Sequence, residues 1–348
     1  MRGLNPAQLQ RLSDFHEQWE QAGTVTQSML EKDILVREAI LAIRDAGQDE
    51  GCQLVFCGGT SLSQAHQLIE RMSEDADFRI VVPDGLSRGQ TRKLLSAVKT
   101  EIATLLDDAG FPLVGEMRGR NNNSYIMGEF AYQSSFSNLN SAMREHLKLE
   151  ITGFAPITPV SELRLATIVD RVTGTISNEE NIQTVSVMDT LADKLVGYLR
   201  RTAQERAGLT RGDYDDRLVR HLYDTHCVHA KLSSSPDFDA IEFAERLSNL
   251  VSLTIERDVD TYGHQYEVFA DAPYEVLHGE LGRVGDDDTR IRYERFCQTM
   301  IWGETPSFDD VAGTFTSLSQ IVLTGRKGEG DESLGAKSAS VAMRGRHL

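Results

Sequence analysis

The chain has 348 residues and a formal net charge of −17 at pH 7, with 40% apolar and 26% charged residues. That length allows one or two packed domains, and the composition is ordinary for a soluble globular protein. The acidic excess excludes a protein that coats nucleic acid through general basicity. No apolar run approaches the roughly 20 residues needed to cross a bilayer, and the N-terminus lacks the apolar core of a secretory signal. We therefore expect a cytoplasmic protein.

Charge is unevenly distributed along the chain. Residues 194–231 carry eight basic and five acidic residues, whereas residues 236–310 carry eighteen acidic residues and six arginines. A nucleotide or nucleic acid could be met by the local basic stretch while the acidic end faces away. The alternative is that most of these charges lie on solvated helical faces.

Two amphipathic helices are predicted before residue 50. Apolar residues recur at helical spacing over residues 6–22 and 30–46, and Gly23 and Gly47 end the two stretches. We expect both helices to pack on the core and to lead into an apolar strand at residues 53–57.

A glycine turn follows that strand. Gly58 and Gly59 fall where the strand should change into a helix, which we predict over residues 62–70. Glycine lets backbone N–H groups come close to a bound anion, and the start of a helix adds unpaired donors and positive dipole. Thr60 and Ser61 would then offer capping hydroxyls beside a phosphate.

Two aspartates introduce the next apolar run, residues 78–82. Asp75 and Asp77 are two residues apart, so on a strand their side chains share a face. Paired carboxylates suit Mg²⁺, which takes oxygen ligands and leaves positions for phosphate oxygens. A lone Asp-x-Asp pair is usually just solvated, but its coupling to the glycine turn favours a functional site.

The middle of the chain predicts a helix and three strands. Ser87 should cap a helix over residues 88–109, and a strand pair flanks the Asn-rich stretch 118–123. Arg118 and Arg120 at the hairpin tip could reach a phosphate or simply keep the hairpin soluble. Residues 147–152 alternate apolar and polar, which predicts a half-buried strand with Glu150 on its polar face.

Zinc and disulfide sites are not indicated. The four cysteines, Cys52, Cys57, Cys227 and Cys297, are scattered without Cys-x-x-Cys spacing. Among the histidines near residue 225, only His221 shares a helical face with an acidic residue, Asp224, and no second ligand pair is visible.

The sequence motifs resemble a known family. Gly58-Gly-Thr-Ser-Leu62, followed by Arg71-Met-Ser-Glu-Asp-Ala-Asp-Phe78, is similar to the pattern Gly-Gly-Thr-Ala-Leu and Arg-x-Ser-Glu-Asp-[Ile/Leu]-Asp of the AbiEii/AbiGii abortive-infection toxins. Those toxins belong to the nucleotidyltransferase superfamily of DNA polymerase beta. The helix around Lys194 and the stretch Arg220-His-Leu-Tyr-Asp224 resemble two later family motifs. The resemblance covers residues 54–225 in separate motifs.

The resemblance implies a role for each matched residue. The nucleotide-binding set would be Gly58, Gly59, Thr60, Ser61, Lys194 and Arg220. The metal ligands would be Asp75, Asp77 and Glu150, holding Mg²⁺, and Mn²⁺ could take the same place. Lys194 would neutralise charge on the phosphates, and Asp224 would orient or deprotonate the acceptor. For Glu150 the alternative is an ion pair with a lysine on the sheet surface.

One residue departs from the family pattern. His221 stands where the family's Asp-x-x-Asp has its first aspartate. This change could weaken activity, alter its pH dependence, or transfer the role to Asp215 or Asp216 one turn earlier.

These patterns predict an α+β fold, with a small mixed nucleotidyltransferase sheet and flanking helices followed by a mostly helical C-terminal lobe. We expect N-terminal helices in residues 1–50, the nucleotidyltransferase core in residues 51–160 and a helical lobe completing the nucleotide site in residues 161–323. Helical patterns within the lobe cover residues 238–253, 291–302 and 315–323. Residues 324–348 lack an apolar face and are predicted to be a disordered tail.

The resemblance implies a Mg²⁺-dependent nucleotidyltransferase toxin of a type IV toxin–antitoxin system acting in abortive phage infection. It would transfer NMP from an NTP, either GTP or a pyrimidine NTP, to an RNA such as the 3′ end of tRNA. A DNA-binding antitoxin would be encoded nearby. Two alternatives stay open: a nucleotide-binding regulatory module with weak catalysis, and an enzyme that modifies a protein with the same residues.

Overall fold

The computed structural model describes residues 1–19, 25–137, 143–175, 181–210 and 215–324. The chain divides into two compact units. Unit 1 comprises Met1–Thr190 and Tyr293–Pro306, and unit 2 comprises Leu191–Arg292 and Ser307–Leu348. Within the described ranges, no helix combines the length and the apolar character that a membrane span requires.

A seven-stranded mixed sheet forms the centre of unit 1, in the order β3-β4-β5-β2-β1-β7-β6. Strands β2 and β5 run parallel, as do β1 and β7, and the other neighbours are antiparallel. The strands are β1 (Gln53–Cys57), β2 (Asp75–Val81), β3 (Leu113–Arg120), β4 (Tyr125–Phe130), β5 (Leu147–Thr152), β6 (Ser161–Arg164) and β7 (Asn181–Thr184).

Helices account for most of the remaining structure. Those in unit 1 are α1 (Pro6–Gln18), α2 (Gln27–Ile43), α3 (Gly58–Thr60), α4 (Arg88–Asp108) and α5 (Ile168–Thr173). Unit 2 contains α7 (Arg220–Ser233), α8 (Ala240–Tyr262), α9 (Glu267–Asp271), α10 (Pro273–Glu280) and α12 (Phe308–Thr324). Two further helices, α6 (Val187–Arg206) and α11 (Asp287–Met300), include residues of both units.

The predicted fold class is confirmed: a mixed sheet with flanking helices precedes a helical C-terminal region. Helix α4 begins after Ser87, whose hydroxyl accepts the Gln90 amide in a capping box, as the sequence indicated. Strand β5 buries Leu147, Leu149 and Ile151 and leaves the alternate residues half-exposed. This alternation places Glu150 on the polar face.

Two local predictions are wrong. The helix predicted over residues 62–70 ends at Ala65, because the chain passes through a π-helical turn at Ser61–Ala65 and Gln67 adopts a left-handed φ of 56°. The hairpin tip is the run Asn121 to Asn123, in which all three residues have positive φ. Asparagine tolerates that conformation better than most residues. Arg118 and Arg120 therefore lie within β3 and not at the tip.

The domain boundaries differ from those expected. Strands β6 and β7 pair with each other and β7 pairs with β1, so the sheet continues beyond the predicted boundary at residue 160. Unit 1 also includes Tyr293–Pro306, which the prediction assigned to the helical lobe. The predicted disordered tail lies outside the described residues, apart from Thr324 at the end of α12.

The segment at 293–306 joins unit 1 through its backbone. Met72 donates its amide to the carbonyl of Met300 (2.7 Å), and Trp302 donates its amide to Glu70 (2.9 Å). The Trp302 ring lies over the Arg171 guanidinium, 4.7 Å from the ring centroid. This returning segment supports the chain directly before the Ser-Glu-Asp-Ala-Asp motif.

A buried ion pair links α2 to that motif. Lys32 Nζ lies 2.7 Å from Glu74 Oε2 and also donates to the backbone oxygens of Arg144 (2.5 Å) and His146 (3.3 Å). The Lys32 and Glu74 side chains are only 0% and 4% exposed. Burial lowers the pKa of Lys32, although the Glu74 carboxylate opposes this shift. The pair fixes the residue next to Asp75.

Asp33, the next residue of α2, is also buried. Its carboxylate accepts a hydrogen bond from Gln64 Nε2 (2.8 Å) and one from the Ile168 amide (2.7 Å). Burial raises the pKa of Asp33 to about 6 despite these two bonds, which lower it. The residue thus ties α2 to the segment after the glycine turn and to the start of α5.

Loss of the Lys32 charge should destabilise unit 1. Lys32→Met leaves the Glu74 carboxylate buried without its cation, so we expect the unfolding free energy to fall by about 3–5 kcal/mol. The double variant Lys32→Met/Glu74→Gln removes both charges and should be more stable than the single variant. Urea unfolding followed by tryptophan fluorescence is suitable because both tryptophans, Trp19 and Trp302, lie in unit 1.

Arg44→Gln is a matched control, because it breaks an ion pair of unit 1 in which the Arg44 and Asp45 side chains are 38% and 66% exposed. We expect it to change the unfolding free energy by less than about 1 kcal/mol. Equal stabilities for Lys32→Met and Arg44→Gln would show that the buried pair has no special role.

The buried Asp33 should make stability depend on pH. Its pKa is raised from 3.8 to about 6 by folding, so its stabilising contribution is present at low pH and is lost as pH rises through about 6. Asp33→Asn cannot titrate. The stability of the wild type minus that of Asp33→Asn should therefore fall by about 2 kcal/mol between about pH 4.5 and about pH 7. Urea unfolding at several pH values measures this difference. A difference that stays constant with pH would contradict the prediction.

Candidate functional site

Close contacts surround the two glycines of the turn. A Cβ atom on Gly58, whose φ is +79°, would lie 2.3 Å from Asp77 Oδ2 and 2.9 Å from Asp77 Cβ, so this position requires glycine. A Cβ atom on Gly59 would lie 2.4 Å from Arg71 Nη2, so a side chain there would force the end of the buried Arg71 side chain to shift. The turn and the Asp-x-Asp strand therefore meet, as the sequence motif predicts.

Thr60 and Ser61 do not cap the helix, so that part of the prediction is wrong. The helical segment begins at Gly58 after Cys57, and no side chain caps it. The Thr60 hydroxyl donates instead to the backbone oxygen of Asp75 at 2.5 Å, and the Ser61 hydroxyl donates to the Gly58 oxygen at 2.9 Å. Both residues are fully buried. Their observed contacts join the turn to β2, and a contact with nucleotide stays a prediction.

The three predicted metal ligands lie on one face of the sheet. In the parallel pairing of β2 and β5, Asp77 is opposite Glu150 and Asp75 is opposite Lys148. Neighbouring strands lie about 4.8 Å apart, and paired residues project to the same side. Asp75 is two residues from Asp77 and shares this side. We call this surface the carboxylate face.

Glu150 has two polar partners, a lysine of the same strand and a tyrosine of β4. Lys148 Nζ lies 2.9 Å from Glu150 Oε1, and the Tyr125 hydroxyl donates to the same oxygen. Burial, together with the Glu150 charge and this hydrogen bond, raises the pKa of Tyr125 well above its usual range, so its hydroxyl stays protonated. The predicted alternative, an ion pair between Glu150 and a lysine, is thus present. The spacing of Lys148 and Glu150 on one strand could have indicated it.

Asp75 lies beside a cation as well. Arg144 Nε is 3.3 Å from Asp75 Oδ1, a buried oxygen that accepts no hydrogen bond from any described residue. A buried carboxylate oxygen of this kind suits a hard cation, as does the donor set of Asp75, Asp77 and Glu150. In the described part of the chain, however, no three His, Cys, Asp or Glu side chains are gathered closely enough to hold an ion together. A metal-binding role for the three carboxylates stays a prediction.

Unit 2 contains the other predicted catalytic residues. Lys194 Nζ of α6 lies 2.5 Å from Asp224 Oδ2 of α7, and the two side chains are 7% and 0% exposed. The structure thus brings these two residues together in one buried ion pair. Their predicted roles toward nucleotide and acceptor are not tested by this contact.

His221, which stands where the family has an aspartate, and its neighbours also have polar partners. His221 Nδ1 donates to the backbone oxygen of Lys194 at 3.0 Å, and burial followed by the Lys194 charge lowers the pKa of His221 well below its usual range. His221 is therefore neutral near pH 7. Arg220 and Arg201 both contact Asp215, at 2.9 and 3.1 Å. Burial raises the pKa of Asp215, but the two arginines outweigh it and hold that pKa below its usual range.

Of the two substitutes considered for the missing aspartate, Asp215 is thus occupied by arginines. Asp216 is more available, because its side chain is 66% exposed and its ion pair with Arg292 Nε is long, at 3.8 Å.

Comparison with known proteins gives one family. The model of the nucleotidyl transferase AbiEii toxin family, type IV toxin–antitoxin system, matches residues 40–314. No curated protein matches the sequence. Among solved structures, MenT4, a nucleotidyltransferase toxin from Mycobacterium tuberculosis, is similar with 17% identity and a TM-score of 0.43, covering 74% of this chain and 72% of MenT4.

The family match extends from α2 into α12 and includes the glycine turn, the carboxylate face and the Lys194–Asp224 pair. Since it covers well over half of the sequence, the chain belongs to the AbiEii family of nucleotidyltransferase toxins of type IV toxin–antitoxin systems.

Proposed function

We propose that the protein transfers a nucleoside monophosphate from an NTP to the 3′ end of an RNA such as tRNA, with Mg²⁺ at the carboxylate face. Family membership supplies the enzyme class, the NTP substrate and an antitoxin partner. The observation that carries the proposal is the register that sets Asp77 beside Glu150 while Gly58 lies against Asp77. The glycine backbone that we propose binds nucleotide thus lies next to acidic side chains in unit 1.

The proposed reaction is a displacement at phosphorus. The hydroxyl oxygen of the acceptor bonds to the α-phosphorus, the bond from that phosphorus to the bridging oxygen of pyrophosphate breaks, and pyrophosphate leaves with the electron pair. The acceptor hydroxyl loses its proton to a base or to solvent. Mg²⁺, when bound, would lower the pKa of this hydroxyl and offset the charge of the triphosphate.

Residues of unit 1 have two tasks in this reaction. The backbone amides of Gly58 and Gly59 are the groups that could approach a phosphate, because the hydroxyls of Thr60 and Ser61 already have protein partners. Asp75, Asp77 and Glu150 would hold the metal. The two glycines directly follow β1, and the three carboxylates lie on the adjacent strands β2 and β5, so both groups have a rigid support.

In unit 2, Lys194 is proposed to contact the triphosphate as a compact positive charge, beside Arg220. Asp224 is completely buried and contacts Lys194, which supports a role in positioning the lysine more directly than a role in deprotonating the acceptor. GTP or a pyrimidine NTP is the proposed substrate.

The partner and location are further parts of the proposal. We propose that the antitoxin is a DNA-binding protein encoded beside this chain and that the pair acts in the cytoplasm. The four cysteines form no disulfide bond with one another in the described structure, which agrees with a reducing compartment.

Asp77→Asn should reduce nucleotide transfer at least about 100-fold, because it removes a charge at the point where the turn and the carboxylate face meet. In the assay, the protein is incubated with RNA, MgCl₂ and NTPs labelled at the α-phosphate. RNA and protein are then separated, and the label in each is measured. Asp84→Asn is the matched control, since Asp84 is exposed in the turn after β2. Its activity should equal that of the wild type.

The same assay identifies the acceptor. Label in RNA supports the proposed substrate, and label in protein would replace it with a protein acceptor. If the wild type labels neither, or if Asp77→Asn transfers as well as Asp84→Asn, the proposed site is wrong.

The role of Lys194 can be separated from its ion pair. Lys194→Gln should lower kcat/KM for the NTP about 10–100-fold if the lysine contacts phosphate. The double variant Lys194→Gln/Asp224→Asn leaves no unpaired charge, so it should be as slow as the single variant. Steady-state kinetics at several NTP concentrations measure both. Recovery of wild-type kcat/KM in the double variant would show that Lys194 serves only to neutralise Asp224.

A further inference from the structure

A basic groove lies at the edge of unit 1, between α4 and the β3–β4 hairpin. It has a volume of about 570 Å³ and is open to solvent. Three cations of α4, Arg92, Lys93 and Lys99, line one side. The other side contains Gly119 and the amide side chains of Asn122 and Asn123. The groove is separate from the carboxylate face, because Gly119 alternates with Arg118 and Arg120 along β3 and projects to the opposite side.

Within the described ranges, the cations of this groove form no ion pair with an acidic residue, although the protein has a net charge of −17. Residues 86–100 contain four basic residues and no acidic residue, and residues 117–128 contain two basic residues and no acidic residue. Among the described residues, none of these six cations forms an ion pair. Arg88, Arg92 and Lys93 are exposed, and Lys99 is half-exposed.

The basic stretch that the sequence indicated, residues 194–231, behaves differently. Lys194 pairs with Asp224, Arg200 with Asp258 and Arg206 with Glu280. Arg201 and Arg220 share Asp215. These pairs leave less charge on the five cations to attract a polyanion. Along α4 and β3, by contrast, the six cations have no ion-pair partner among the described residues.

We propose that this groove binds the phosphate backbone of the RNA acceptor. The inference rests on the proposed function. Arginine, lysine, asparagine and serine side chains are typical phosphate contacts, and the groove contains all four types, with Ser96 between the cations on α4. An acidic protein segment would also be attracted, but a protein interface normally adds an apolar centre, which none of the groove-lining residues supplies.

The sheet connects the groove with the carboxylate face. Arg118 is opposite Met127, Met127 is opposite Glu150, and Glu150 is opposite Asp77. Three strand spacings of about 4.8 Å place Arg118 roughly 14 Å from Asp77 on the same face. An RNA strand held in the groove could pass over the edge strand β3, contact Arg118 and Arg120, and present its end to the carboxylates.

The test compares two triple variants with the same change in net charge. Arg92→Gln/Lys93→Gln/Lys99→Gln removes the groove cations. Lys231→Gln/Arg246→Gln/Arg295→Gln removes three exposed cations elsewhere. Binding of an in vitro transcribed tRNA is measured by fluorescence anisotropy at several KCl concentrations. The slope of log Kd against log[KCl] should decrease by about 2–3 in the groove variant, because each phosphate contact contributes about 0.7–0.9. Its Kd should rise about tenfold or more at low salt.

Each outcome has a defined meaning. The proposal is supported if the groove variant loses affinity and slope while the control variant keeps both. Equal losses in the two variants would overturn it, because they would show an effect of net charge alone. Unchanged binding by the groove variant would also overturn it. Displacement of the RNA by poly-glutamate at an equal concentration of charges would replace RNA with an acidic protein partner.

Further measurements distinguish an error in the assignment of the groove from an error in the proposed function. The groove cations are outside the carboxylate face, so the groove variant should bind NTP with wild-type affinity in calorimetry. If the wild type labels RNA and the groove variant labels it equally well at every salt concentration, only the groove assignment is wrong. If the wild type binds RNA through the groove but transfers no nucleotide, the proposed transfer to RNA is wrong and the groove stands.

Discussion

The hydrogen bond from the Thr60 hydroxyl to the backbone oxygen of Asp75 is the contact on which the candidate site depends. It crosses from the glycine turn to the start of β2, and its donor, Thr60, is fully buried. A buried bond of this kind is costly to leave unmade. It therefore holds Gly58 against the Asp77 carboxylate, at a distance where any side chain on residue 58 would collide. The observed contact of Thr60 is therefore structural, because it positions the turn.

Buried charged residues of α2 hold the segments on both sides of this contact. Lys32 and Glu74 lie almost out of contact with solvent, and Asp33 is buried one residue further along α2. Burying such groups costs solvation free energy, and an apolar pair of similar volume would often be at least as stable. Their benefit here is positional. Lys32 holds Glu74, the residue before Asp75, and Asp33 holds the segment that follows the glycine turn. Helix α2 thus orients both halves of the motif from a single element.

The sequence was sufficient where function depends on local patterns. Apolar periodicity located α2, α4 and β5, and the coupled glycine and aspartate motifs located the turn and the carboxylate face. It was insufficient where partners are distant in the chain. Lys32 and Glu74 are 42 residues apart, and the Tyr125 contact with Glu150 spans 25. Consecutive charged residues within a helix, such as Lys32 and Asp33, normally indicate a solvated face. The local sequence does not show that these two are buried and that their partners lie in other elements.

The sequence also does not show that the segment at 293–306 packs in unit 1. Its contacts with Glu70 and Met72 are made by backbone groups, and backbone pairing leaves little trace in residue types. The helix ending at Ala65 was overextended because the apolar residues Leu68 and Ile69 continue the pattern. Gln67 nevertheless adopts a left-handed conformation, and such a residue rarely continues a helix.

The distribution of ion pairs explains how an acidic protein could accept a polyanion. Long-range repulsion follows from the net charge, but it is screened within about 10 Å at ordinary ionic strength. At shorter range, the decisive quantity is the number of cations without acidic neighbours. In unit 2, Asp215, Asp224, Asp258 and Glu280 pair with five of the eight cations of the basic stretch. Along α4 and β3 the carboxylates of Glu101, Asp107, Asp108 and Glu116 form no ion pair with the cations of these two elements in the described structure, so positive potential there is retained even though the whole chain is strongly negative.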